Sequence, residues 1–174
     1  MKSTSVIGVA VWLALSTAVG YGYSVWAINT GRVVPISGAT LAISVIVVAV
    51  ILVSLAIPIW KYKRNLKKAT VELEHNPAAK VNKPMPVDPF YAVRVLVLAK
   101  AGAVTASILG GWHIGVLIKQ YTAAVVVESS TGTNIAAGIA SLVLLAVSFI
   151  VEWICRLPSD PNGPGVKKDS AVPA

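Results

Sequence analysis

From Gly38 to Trp60 the chain runs for 23 residues without one ionisable side chain. About 20 such residues in a helix cross the hydrocarbon of a bilayer, and a helix apolar on every side has little use in a small soluble domain. Three more runs are comparable: Val6 to Ile28, a longer one ending at Lys119, and Asn134 to Leu157. In lipid the backbone must satisfy its own polar groups, so runs of this kind fold as helices. A hydrophobic content of 56% with only 13% charged residues agrees with a chain dissolved in a membrane rather than in water. The expectation is an all-α integral membrane protein, an antiparallel bundle of four transmembrane helices. These cover about residues 6–28, 37–60 with an extension into water, 88–119 and 134–157. On this reading residues 1–157 form one membrane domain, 76–87 a cytoplasmic linker and 158–174 a disordered tail rich in proline and glycine.

The net charge of +8 could speak for nucleic acid, so the cations have to be placed before they are interpreted. Lys2, the central group at 61, 63, 64, 67, 68, 80 and 83, and Arg156, Lys167 and Lys168 fall on one side, against Arg32 and Lys119 on the other. Membrane proteins gather Lys and Arg on the cytoplasmic side, so both termini are expected there, and topology accounts for the charge without nucleic acid. Trp60, Tyr62, Tyr91 and Trp153 flank the spans as candidate interfacial anchors. The first run has a rival reading as a cleaved signal peptide, with Lys2 before it and small residues at Ala18 and Gly20. Cys155 is the one cysteine, which excludes an intramolecular disulfide, a CxxC pair and a cysteine zinc cluster.

The third run holds most of the unusual residues. Asp88 followed by Pro89 is a helix start, a carboxylate that can cap free amides before a proline that needs no donor. Arg94 and Lys100 then lie within an apolar helix, where a charge is costly unless it snorkels or finds a partner. Small side chains form two adjacent rows, Gly102, Ala106 and Gly110 on one and Ala103, Ser107, Gly111 and Gly115 on the next, which suits close helix packing. The first helix offers a narrower row at Ala10, Ala14, Ala18 and Gly22. His113 lies well outward of Lys100; a hydrogen-bonded imidazole at the interface is the expectation, since a metal would need further ligands.

Depth counting relates helices three and four. Glu152 lies 18 residues from Asn134 and Lys100 lies 19 from Lys119, about 27 and 28 Å at 1.5 Å per residue. Lys100 and Glu152 should be level, with Asp88, Arg94 and Arg156 completing a charged cluster at the basic end. That cluster is either an ion-pair clamp that fixes register or a binding site for an anionic lipid. HExxH, the phosphate-binding GxxxxGK[ST] and a serine with a local base are all missing from the sequence, and helix one lacks the acidic residue of a proton-coupled multidrug transporter. No catalytic residue, metal or cofactor is therefore expected. The partners expected are membrane lipids, anionic ones included, and a protein partner or second copy met through small-residue faces.

PVDPFYAVRVLVLAKAGAVTASILGGWHIG, together with FIVEWICRLP at the end of helix four, resembles the four-span membrane proteins of actinobacteria grouped as domain of unknown function 3180. The features that carry the resemblance are Asp88 with Pro89, Arg94, Lys100 between two alanines, and Glu152 with Cys155 and Arg156. It implies four spans in a bacterial plasma membrane, with genes often near those of folate biosynthesis, and no reaction.

Overall fold

A computed structural model describes residues 4–32, 37–75, 87–122 and 128–155. They form four helices, α1 (Val6–Asn29), α2 (Ala39–His75), α3 (Pro89–Tyr121) and α4 (Glu128–Cys155), and no strand among the described residues. Each helix is long and apolar enough to cross a membrane. The linker residues 76–86, Arg156 and the tail lie outside the described residues.

The helix ends follow local chemistry. Ser5 caps α1, its hydroxyl accepting from the Gly8 amide at 3.2 Å. The far end closes on Gly31, whose φ of 70° few other residues adopt at low cost. There Arg32 N–H donates to Ala27 O at 2.8 Å and Gly31 N–H to Ile28 O at 3.1 Å, the paired bonds of a Schellman motif. At α3, Asp88 accepts from the Phe90 amide at 2.9 Å, with Pro89 in the first turn. α2 runs through Pro58 and on to His75, carrying the basic residues 61–68 on its continuation.

Two starts differ from expectation. α4 begins at Glu128, not at 134, and Asn134 is an interior helical residue only 1% exposed. A cap-prone stretch such as SSTGT continues as helix here because Thr131 and Asn134 bury their side chains in the bundle. α2 begins at Ala39 rather than at 37, and Ser37 ahead of it places its hydroxyl 3.5 Å from His113 Nδ1.

Neighbours in space are not always neighbours in sequence. α1 packs on α3, α3 on α4 and α4 on α2; α2 and α3 meet over a short stretch, and α1 touches neither α2 nor α4 by helix packing. On α3, Gly111 lies against Leu13 and Ser16, and Gly115 against Thr17 and Tyr21, so α1 and α3 run parallel. Gly102 against Ser148 and Gly110 against Ser141 rise on one helix and fall on the other, so α3 and α4 are antiparallel. The expected antiparallel bundle is thus a row, α1, α3, α4, α2, antiparallel at its centre and parallel in both outer pairs, with the close glycine contact at one edge. The apolar core lies at the other, where Ala42, Val45, Ala49, Leu52, Ala56 and Ile59 make one stripe of α2 against α3 and α4.

Candidate functional site

The charged end is organised by one residue. Glu152 lies on the last full turns of α4 and is 4% exposed, a burial that a carboxylate tolerates only with donors close by. One donor is the backbone of Thr4, whose amide gives a 2.7 Å hydrogen bond to Oε1. This bond ties the approach to α1 directly to α4, two elements that do not pack on each other as helices. The Gly102 to Ser148 contact sets the register: two residues back along α3, Lys100 is level with Ile150 and within about 3 Å axially of Glu152. Lys100 is half-buried, and neither it nor Glu152 is without a polar or electrostatic contact.

The other members of the expected cluster stand apart. Arg94 is exposed, six residues or about 9 Å from Lys100 along α3. Asp88 is exposed and occupied as the cap of its own helix, about 18 Å from Lys100 by the same count. Arg156 lies outside the described residues. In their place come two groups that composition did not flag. Thr4 joins through its amide, and its buried Oγ1 has no hydrogen-bond partner. Lys63 of α2 is half-buried beside Cys155, one turn beyond Glu152 on α4. Thr4 had no signal in the sequence, since any residue supplies an amide.

The two rows of small residues on α3 serve different neighbours. Gly102 and Gly110 face α4, and Ala106 beside them is 1% exposed. Gly111 and Gly115 face α1, where an added Cβ would meet the Leu13 and Thr17 carbonyls. A Cβ on Gly20 would likewise lie 2.5 Å from the Trp112 carbonyl oxygen. Backbones in such contact leave room only for hydrogen. The row at Ala10, Ala14, Ala18 and Gly22 is not the packing face of α1: all four are exposed, and nothing lies within 4 Å of where a Gly22 Cβ would be. The packed side is Leu13, Thr17, Gly20, Ser24 and Ala27.

A line of buried polar side chains also runs along α4: Asn134, Ser141 and Ser148 at intervals of seven, followed by Glu152. Ser141 returns its hydroxyl to Ala137 O at 2.8 Å, whereas Ser148 Oγ and both polar atoms of Asn134 lack a partner of hydrogen-bonding geometry. Asn134 stands beside His113, which is 1% exposed and packed on Gly138. The imidazole is therefore enclosed between helices. The seven-residue spacing was the available signal.

Among the candidate anchors, Trp60 and Trp153 are exposed and Tyr62 half-buried. Arg64 stacks its guanidinium 5.3 Å from the Trp60 ring centre. Tyr91 is a tie between helices, its hydroxyl donating to Leu55 O of α2 at 2.9 Å. Among the described residues there is no group of three or more side chains able to hold a metal ion.

The family model described as "Protein of unknown function (DUF3180)" matches residues 6–159. The chain belongs to this family. No curated protein and no solved structure matches it at a significant level. The match spans all four helices and both ends of the Glu152 and Lys100 level, and it attaches no activity to them.

Proposed function

We propose that this multi-pass membrane protein is a non-catalytic accessory or assembly subunit of a membrane complex in a bacterial plasma membrane, in the actinobacterial setting that the resemblance implies, with both termini cytoplasmic. The observation that carries the reading is the position of α1. Among the described residues it is held along one side by α3 alone, and on another it presents Ala10, Ala14, Ala18 and Gly22 uncovered. A helix with small side chains every fourth residue admits a partner helix at close range, as α3 does on the opposite side. The occupant we infer is a helix of a different membrane protein.

The test is crosslinking in native membranes from Ala14→Cys and Ala18→Cys, with Ile43→Cys on α2 as the comparison. The expected result is one adduct of defined mass with another protein from the α1 positions and none from α2. An adduct of twice the chain's own mass would replace the reading with self-association. Diffuse products of equal yield from all three positions would sink it. The competing reading, a small carrier or anionic-lipid protein working through Arg94, Lys100, Glu152 and Arg156, has less support, because Glu152 is enclosed and engaged with Thr4 while Arg94 stands outside.

A further inference from the structure

Between α2 and α4 a groove of about 220 Å³ opens toward the membrane. Val53, Ile57 and Trp60 line it from α2, and Val147, Ile150 and Ile154 from α4, with Ala56 as its floor. Val53, Ile57, Trp60 and Ile150 are all exposed, so the groove is open on its lipid side. From Val53 to Trp60 it is about 10 Å long, within the single leaflet of about 15 Å that half the hydrocarbon provides. The α2 positions that line it are 53, 56, 57 and 60, and the same helical stripe continues as Lys63, Arg64 and Lys67. One face of one helix thus passes from an acyl-sized slot, through an aromatic ring at its mouth, to three cations. Arg64 is already drawn back over Trp60, at the boundary between the two parts. The acidic residues that follow on α2 are Glu72 and Glu74, five and seven residues past Lys67, about 8 and 10 Å farther along the axis.

We propose that this groove is a site for one anionic phospholipid of the leaflet on the basic side, an acyl chain lying between α2 and α4 and the phosphate held by Arg64 and Lys67 with Lys63 alongside. Any groove within a membrane fills with hydrocarbon; the continuation of the slot into cations is what selects a negative headgroup. The groove shares its depth with Glu152, which Ile150 and Ile154 bracket on α4, but it involves no residue of α1, so it stands or falls independently of the accessory role.

The test uses the full chain in vesicles of phosphatidylcholine with phosphatidylglycerol, and counts lipids retained on release into the mass spectrometer. A phosphatidylglycerol bearing a photoreactive group in its acyl chain maps the contact. One phosphatidylglycerol is expected to be retained, with acyl-chain labels on α2 and α4 at the groove. Each of Arg64→Gln and Lys67→Gln should lower retention about fivefold, the worth of one cation near an anionic headgroup. Ile150→Trp, which fills the groove from an exposed position, should abolish the labels while the four helices remain. Retention that falls with the charge variants yet ignores Ile150→Trp means diffuse surface attraction and overturns the site. Equal retention of phosphatidylcholine, or displacement of the lipid by inorganic phosphate alone, overturns it as well.

Discussion

Among the described residues α3 packs against all three other helices, and its two long sides hold their neighbours by opposite means. Toward α1 it offers backbone: Gly111 and Gly115 bring the main chains together, and Gly20 answers from the other helix. Toward α4 it meets side chains with hydrogen-bonding groups, among them Ser141, Ser148, Asn134 and the Glu152 level. A glycine contact is decided by sterics and tolerates no added atom. A polar contact is decided by whether each buried group finds a partner, and here several do not. Lipid is as apolar as leucine, so neither side draws on a hydrophobic difference between protein and surroundings. The comparison teaches that one helix can carry a rigid seam and an adjustable one.

The largest effect should come from breaking the rigid seam. Gly115→Leu places atoms where the Thr17 backbone lies and should cost about 3 kcal/mol or more, releasing α1 from α3. Protease access to the α1 to α2 connection in vesicles, against wild type, reads the release. Glu152→Leu comes next. It removes the acceptor of the Thr4 amide, and the loss of a bond to a charged group costs about 2 kcal/mol, measured by unfolding in mixed detergent. Glu152→Gln keeps a carbonyl acceptor and should recover part of that loss.

A smaller effect tests the adjustable seam. An added Cβ at Gly102 would lie 2.7 Å from Ser148 Oγ, so Gly102→Ala should destabilise by about 1 kcal/mol. In a Ser148→Ala background the nearest serine atom is gone and the cost should shrink, a coupling that a double-mutant cycle measures directly. Ser148→Ala alone should be neutral or stabilise by about 1 kcal/mol, because Oγ is buried without a partner. Smallest of all is Gly22→Ala, which meets open space on α1 and should shift stability by less than about 0.5 kcal/mol. A Gly22→Ala change as costly as Gly115→Leu would end the distinction between the two faces of α1.

The spans were legible because about 20 apolar residues in succession have few other uses. Ser5, Asp88 with Pro89, and Gly31 also declare their helix ends by chemistry that is local. What could not be read was which sides meet. In water a helix turns its apolar side inward, so periodicity marks the packed face; in lipid both sides are apolar and the marker vanishes. Ala10, Ala14, Ala18 and Gly22 looked like the packing row of α1 for this reason, while Leu13, Thr17 and Gly20 are the residues in contact. Depth survived where orientation failed, since 1.5 Å per residue holds on every side of a helix. It set Lys100 level with Glu152, but it could not tell that Arg94 points away or that Thr4 returns to the same level from the chain's other end.

The position of α1 at the end of the row has a consequence in time. It leaves the ribosome ahead of the other three helices, and its docking surface at Gly111 and Gly115 is made only after the whole of α2 and most of α3. At about 5–20 residues per second that interval is on the order of ten seconds. During it α1 waits in the bilayer without its packing partner, both of its small-residue faces uncovered by α3. Whatever else inserts beside it then meets the same surface that α3 will later claim.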